Sequence, residues 1–238
     1  MSLKTGRLYL IPASLGSETI QAILPANNSE VVNGLDIFIV ENLRTARRFL
    51  LAAGYLRSFD EVQFFLLNKH SSEDDLPEFI QMMLHGKNIG LISEAGCPCI
   101  ADPGHEVVLL AHQNGIPVVP LVGPSSILLA LMASGFNGQQ FAFHGYLPID
   151  KTERARKLKQ LELEAWKDSQ TQIFMETPFR NNQLMTAMVE ILRPDTLLCV
   201  ACDLTLTSEF IKSQPVVNWK KNMPDLHKRT SIFLLYRQ

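Results

Sequence analysis

Two short loops carry much of the binding potential of this 238-residue chain. The first, residues 94–104, contains Asp102 among two prolines and two glycines, and the second, residues 122–126, ends in two serines. Proline fixes the backbone angle φ, while glycine permits angles and close approaches that a side chain would block. The two loops therefore predict a site in which a ligand lies against main chain.

The elements around these loops place them at the ends of strands. Apolar runs at residues 89–93 and 116–122 predict two strands, and helical spacing predicts helices over residues 105–114 and 127–134. In an open parallel sheet both loops would then lie at the carboxyl edge, where such folds bind ligands. The alternative is that Gly and Pro only turn corners.

A second pair of polar residues follows another predicted strand, residues 37–40. Glu41 ends this strand, and Arg44 lies in the helix that comes next. Taken alone, Glu41 could stabilise the helix start electrostatically and Arg44 could be a surface charge. These residues acquire a chemical interpretation only together with other motifs.

Several motifs resemble one known family, the tetrapyrrole (corrin and porphyrin) methylases. Its ribosomal RNA branch, which methylates riboses of the small-subunit RNA, carries the runs SDAGxPxxSDPG and PGPSA. Here residues 93–104 read SEAGCPCIADPG and residues 122–126 read VGPSS. Residues 41–44 (ENLR), 141–148 (FAFHGYLP) and 176–180 (ETPFR) are similar to EDTR, FLGFLP and ESPHR of that branch.

Two loops depart from the family pattern. Residues 12–17 read PASLGS where the RNA branch has TPIGNL, and residues 68–72 read NKHSS where it has a run like HEHN. These changes leave open the methylation of a tetrapyrrole precursor or another small molecule. A protein that binds the methyl donor without catalysis is a further alternative.

The resemblance implies the fold and the donor site. We expect an α/β protein with two α/β domains, residues 1–122 and 123–238, each with a mostly parallel sheet flanked by helices. The ligand cleft would lie between the domains, the methyl donor would be S-adenosylmethionine, and the protein would be a homodimer. The donor positions implied are Ile11, Pro12, Asp102, His105, Ser126, Ile127, Met175, Ala201 and Thr230.

The chemistry expected is displacement of the methyl group from a sulfonium, to which an enzyme contributes mainly orientation. No metal is needed for it. For an RNA 2′-hydroxyl acceptor, Glu41 is our candidate general base, and Arg44 and Arg180 are candidates for holding phosphate.

A charged helix predicted over residues 151–168 is the candidate RNA contact. The formal net charge of the chain is −2, so RNA binding would need a local basic patch. The alternative for this helix is an ordinary solvated face. Its candidate phosphate contacts are Arg154, Arg156, Lys157 and Lys159.

The four cysteines and the hydropathy pattern limit the cellular setting. Cys199 and Cys202 match a C-x-x-C pattern but lie in an apolar, strand-like run, and Cys97 and Cys99 have the wrong spacing for a second zinc knuckle. We therefore expect buried free thiols. No stretch reaches the roughly 18 apolar residues of a membrane span, and no leader pattern is present. We therefore expect a cytoplasmic protein without membrane contact.

Overall fold

The computed structural model describes residues 5–16, 20–67 and 76–237. The chain divides into two compact units, Met1–Ser125 and Ser126–Gln238. The predicted boundary, after Val122, falls just before this division. The sequence also predicts a helix over residues 18–24; part of it, and the divergent loop 68–72, lie outside the described residues. Within the described ranges, no helix is long and apolar enough to cross a membrane.

The first unit is a five-stranded sheet with helices on both faces. Its strands are β1 (Leu8–Ile11), β2 (Ile37–Val40), β3 (Gln63–Leu66), β4 (Ile89–Ile92) and β5 (Val118–Pro120). Its helices are α1 (Ala26–Asn33), α2 (Leu43–Ala52), α3 (Leu76–Leu84) and α4 (His105–Gln113), with short 3-10 helices at Ile20–Ala22 and Phe59–Glu61.

All strand pairs of this sheet are parallel, in the order β3-β2-β4-β1-β5. Every residue of β2 and β4 is buried, which is typical of strands covered on both faces and explains their uninterrupted apolar sequences. α1 and α2 pack on one face, around Phe38, and α3 and α4 pack on the other, around Leu91.

This order creates a crevice at the carboxyl edge. The chain leaves β1 toward the face of α1, whereas it leaves the neighbouring β4 toward the face of α4. The loops after the two strands therefore diverge, and such a switch point is where open α/β sheets bind ligands. Here Ala13 and Gly96 join the loops by two backbone hydrogen bonds, of 2.9 and 3.2 Å.

The sequence near the helix start explains where α2 begins but does not explain the formation of α1. The Asn42 side chain accepts hydrogen bonds from the N–H groups of Arg44 and Thr45, so Asn42 caps the helix. α1 has a polar sequence and lacks a side-chain cap. It is held by tertiary hydrogen bonds instead, including one of 2.8 Å from Asn28 to the Val122 carbonyl.

The second unit also contains a five-stranded sheet. Its strands are β6 (Phe141–Tyr146), β7 (Thr171–Glu176), β8 (Leu197–Cys202), β9 (Phe210–Pro215) and β10 (Ser231–Tyr236). Its helices are α5 (Ser126–Ser134), α6 (Lys151–Lys167), α7 (Asn181–Ile191) and α8 (Val216–Trp219).

The second sheet is mixed, in the order β6-β7-β10-β8-β9. Only β6 and β7 pair in parallel, and β10 is antiparallel to both of its neighbours, as β8 is to β9. The expectation of a mostly parallel sheet is therefore correct for the first unit and wrong for the second. β10 lies between β7 and β8 and runs antiparallel to both. Its apolar sequence SIFLLY predicts a strand but does not indicate the direction in which that strand pairs.

Helices cover both faces of the second sheet. α6, α7 and α8 pack around Phe174, Val200 and Phe233 on one face. α5 packs on the other face against β8, β9 and β10, where Ser213 donates a 2.7 Å hydrogen bond to the Ser134 carbonyl.

Candidate active site

Three carboxylates cluster at the carboxyl edge of the first sheet. Glu41 follows β2, Glu94 follows β4, and Asp102 lies in the loop before α4. The Glu94 N–H donates to Glu41 Oε1 at 3.3 Å, and the Thr45 hydroxyl donates to the Glu94 carboxylate. Parallel strands bring their ends to one edge, so residues 41 and 94 meet although they are far apart in sequence.

The electrostatic setting of Glu41 and Asp102 favours their neutral forms. Burial raises the pKa of Glu41, and the charge of Glu94 adds to this effect while the hydrogen bond from Glu94 opposes it. Burial also raises the pKa of Asp102 to about 7, with further contributions from the charges of Glu41 and Glu94. Among the described residues, none of the three forms an ion pair with a cation.

The loop that holds Asp102 has an unusual backbone. Cys99 and Ala101 adopt positive φ angles of 67° and 65°, which side-chain-bearing residues seldom do. Gly104 has a φ of 120°, and a Cβ there would come within 2.9 Å of Leu91. Glycine is therefore required at the start of α4, while the two strained residues are held by the surrounding structure.

The predicted donor positions of the first unit gather at this edge. Ile11 is the last residue of β1 and is fully buried, and Pro12 follows it. A Cβ at Gly123 would lie 2.3 Å from the Cβ of Pro12, so only glycine lets the second loop approach this closely. His105, the first residue of α4, has a side chain that is 72% exposed, with its Nδ1 3.2 Å from Glu106.

Two of the five predicted donor positions of the second unit lie in one row of its sheet, and the other three lie on α5 and before β10. Met175 and Ala201 both pair with Ile232, so their side chains share a face. Ser126 and Ile127 open α5, the helix that packs on β8, β9 and β10. Thr230 precedes β10, and its carbonyl accepts a 2.9 Å hydrogen bond from the Asp203 N–H.

The structure places the two candidate phosphate ligands, Arg44 and Arg180, in different environments. Arg44 is exposed in the first turn of α2. Arg180 donates from Nε and Nη2 to Glu176 Oε1, at 3.0 and 2.6 Å, and its side chain is 29% exposed. Part of the Arg180 guanidinium is thus used within the protein, and its phosphate-binding role stays a prediction.

The predicted RNA contact on α6 is wrong for one of its four residues. Arg154 is only 4% exposed, and it donates a 3.1 Å hydrogen bond to the Ile149 carbonyl. A buried guanidinium cannot meet a phosphate at the surface. Arg156 and Lys159 are exposed and Lys157 is half-buried, so they remain candidates.

All four cysteines are free thiols, as predicted, but the prediction that they are buried is correct for only two of them. Cys199 and Cys202 are buried in β8, whereas Cys97 and Cys99 are only partly buried. Burial raises the pKa of both Cys99 and Cys199 to about 11, which keeps these two thiols protonated and unreactive. Within the described residues, no group of three or more His, Cys, Asp or Glu side chains is arranged to hold a metal ion.

The sequence motifs did not single out the polar lining contributed by α2. Thr45, Arg48 and Glu94 border a cavity of about 350 Å³ beside the loop after β1. A helical projection of residues 43–52 would have placed Thr45 and Arg48 close together on one side. Their proximity to Glu94 required the order of the strands, which the sequence alone does not specify.

Comparison with known proteins identifies the family. Residues 27–216 match the model of the tetrapyrrole (corrin/porphyrin) methylases, which is most of the chain. This chain belongs to that family. The predicted family, and with it the assignment as an S-adenosylmethionine-dependent methyltransferase, is confirmed.

Relatives within this methylase family have one name in common. "Ribosomal RNA small subunit methyltransferase I" of Vibrio cholerae serotype O1 is 31% identical over 96% of this chain and 76% of its own length. The protein of that name from Bacillus subtilis (strain 168) is 35% identical over 90% of this chain and 70% of its own length.

Solved structures of other methylases show the same fold at low identity. The methyltransferase CobJ is 14% identical with a TM-score of 0.64, covering 98% of this chain and 95% of its own. The cobalt precorrin-4 methyltransferase CbiF is 14% identical with a TM-score of 0.61, covering 97% and 94%. These likenesses support the two-unit α/β fold.

The chemistry of the residues present suits S-adenosylmethionine. In the first unit, the Asp102 carboxylate can accept hydrogen bonds from a cationic ligand. The first N–H groups of α4 have no side-chain cap and are available to acceptors of the ligand. In the second unit, Met175 and Ala201 supply an apolar surface of the kind that covers most of a bound small molecule.

Proposed function

We propose that this methyltransferase transfers the methyl group of S-adenosylmethionine to a ribose 2′-hydroxyl of small-subunit ribosomal RNA. The observation that carries the proposal is the shared name of relatives that are 31% and 35% identical over nearly the whole chain. The motifs at residues 141–148 and 176–180, similar to those of the RNA branch, support it.

The proposed donor site consists of the nine positions named above. Bound there, S-adenosylmethionine would supply an electrophilic methyl group. The protein's own contribution would be to orient the acceptor hydroxyl and to receive its proton. We assign the proton to Glu41, because burial raises its pKa toward the range useful for a base and because it ends a central strand at the ligand-binding edge.

Arg44 and Arg180 would hold RNA phosphates. Arg44 is exposed and can turn toward a ligand, whereas Arg180 would have to use the part of its guanidinium that Glu176 does not engage. Guanidinium groups form strong charge-assisted pairs with phosphate. We also propose that the protein acts as a homodimer, and in the cytoplasm, where ribosomal subunits are assembled.

The test combines donor binding with RNA methylation. Calorimetry should show S-adenosylmethionine binding to the purified protein, and Ser126→Trp should abolish it by filling the donor site. Small ribosomal subunits from cells that lack this gene should accept methyl groups at one ribose. Donor binding without RNA methylation would instead favour a small-molecule acceptor or a protein that binds the donor without catalysis.

Glu41→Gln isolates the proposed base. The substitution keeps the size of the side chain and removes its ability to take a proton, so turnover on small subunits should fall by about 10²–10⁴-fold. Donor affinity should change by less than about threefold, because the donor site lies on other loops. Unchanged turnover would exclude Glu41 as the base.

A further inference from the structure

A cavity of about 350 Å³ opens at the carboxyl edge of the first sheet, near the proposed catalytic residue. The loop after β1 contributes Ser14, and α2 contributes Thr45, Arg48 and Phe49. Glu94 closes it from the end of β4. The lining thus combines hydroxyl groups, a cation, a carboxylate and an aromatic ring within one unit of the protein.

The cavity lies on one side of the sheet, and the donor positions Asp102 and His105 lie on the other. The donor positions Ile11 and Pro12 directly precede the loop that lines the cavity. α2 packs on the face around Phe38, whereas Asp102 and His105 lead into α4, which packs on the opposite face. The two sides meet at Glu94, which borders the cavity, donates to Glu41 through its N–H and adds to the raised pKa of Asp102. A molecule in the cavity would therefore contact Glu94, which Glu41 contacts in turn.

The size and the lining of the cavity suit one nucleotide. Its volume is at the lower end of the roughly 300–1,000 Å³ range of small-ligand pockets. Arg48 can pair with a phosphate, and the hydroxyls of Ser14 and Thr45 can bond a ribose. Apolar lining from Phe49 and Ala52 can cover a base. Sequence-specific RNA recognition mostly uses such unstacked, single nucleotides.

We propose that this cavity binds the acceptor nucleotide and that Arg48 binds its phosphate. The inference rests on the proposed RNA-methylating function and adds a specificity-determining residue to it. Arg44 lies one helical turn before Arg48, on the same side of α2, and extends the cationic path toward the edge of the cavity.

The same helix supplies a matched control. Arg47 is also exposed, but its guanidinium carbon lies 5.5 and 5.4 Å from the ring centroids of Phe59 and Phe64. It does not line the cavity. Arg47→Gln and Arg48→Gln therefore remove the same charge from adjacent positions, and only Arg48→Gln removes the proposed phosphate ligand.

The experiment measures methylation of small ribosomal subunits taken from cells that lack this gene. Arg48→Gln should raise the KM for subunits at least tenfold, the loss of about one charge-assisted hydrogen bond. It should also lower the log–log salt slope of subunit binding by about 0.7–0.9. Arg47→Gln should leave both quantities within twofold of the unsubstituted protein. Equal effects of the two variants would overturn the proposal.

A second pair of variants blocks the cavity without changing charge. Ala52→Phe adds bulk to the lining, whereas Leu51→Phe adds bulk to a neighbouring side chain that is 64% exposed. Only Ala52→Phe should raise the KM for subunits, and calorimetry should show the same affinity for S-adenosylmethionine in both. Full activity of Ala52→Phe would exclude the cavity. If the unsubstituted protein fails to methylate subunits but binds the donor, the proposed function itself is wrong.

Discussion

Carboxylates lie at the strand ends of both sheets, but their neighbours differ. In the second unit, Glu176 pairs with Arg180 at 2.6 Å and Asp203 pairs with Arg229 at 2.7 Å. In the first unit, Glu41 and Glu94 lie close enough to Asp102 to raise its pKa, and no described cation pairs with any of the three. The acids at the edge of the second sheet are thus paired with cations, and those at the edge of the first sheet are not, within the described part of the chain.

This difference indicates which edge performs chemistry. Unpaired, partly buried carboxylates cost stability and are retained where a proton must move or a cation must bind. Paired carboxylates at strand ends fix loops instead. Glu176 accepts hydrogen bonds from Arg180 and from the Thr177 N–H, and Arg229 also donates to the Ser208 carbonyl. We infer that the paired acids of the second edge hold its loops in place, whereas the unpaired acids of the first edge take part in proton transfer.

Removing one acid from each edge should produce the largest contrast. Glu176 is 1% exposed in its side chain, so Glu176→Ala leaves the Arg180 guanidinium without its partner and should cost about 2–3 kcal/mol of the free energy of unfolding. Glu41→Ala should cost less than about 0.5 kcal/mol, since it also relieves repulsion among the acids.

Urea denaturation with hydrogen exchange would measure this contrast in each unit. Amides of β7 and β10 report the loss caused by Glu176→Ala, and amides of β2 and β4 report the effect of Glu41→Ala. Equal losses in the free energy of unfolding would mean that the acids of both edges stabilise the fold. The reason for placing the proton transfer at the first edge would then be removed.

The sequence predicted the local elements better than their arrangement. The buried run at residues 37–40 and the helix of residues 151–167 agree with prediction because apolar runs and charged, periodic segments are local signals. α1 was not predicted, since its sequence ANNSEVVN carries no clear pattern and tertiary hydrogen bonds hold it. The antiparallel pairing of β10 was not predicted either, because strand direction also depends on the tertiary arrangement.

The candidate site, too, was predictable only where it depends on local sequence signals. Glycine and proline motifs marked the loops, because those residues have backbone requirements that sequence reveals. Burial is a property of the fold, so the sequence could not reveal that Arg154 turns inward to the Ile149 carbonyl. Nor could it reveal that Glu94 lies against Glu41 and Thr45.

Asp102→Asn gives a smaller effect whose sign depends on pH. The folded pKa of Asp102 is raised from 3.8 to about 7, so between these values the folded protein holds a proton that the unfolded chain releases. Stability should therefore decrease as pH rises from about 4 to about 7 and then level off. Asparagine mimics the protonated form, so the variant should lack this decrease.

The expected gain from Asp102→Asn at pH 8 is about 1 kcal/mol, after allowance for solvent screening of a partly exposed group. At pH 4 the variant and the unsubstituted protein should be equally stable. Asp203→Asn, the same substitution at the paired edge, should instead lose stability at pH 8, because it removes the charge that holds Arg229. Urea midpoints at pH 4, 6 and 8 measure both effects. If Asp102→Asn also loses stability at pH 8, then the Asp102 carboxylate has a stabilising partner, and the two edges do not differ as inferred.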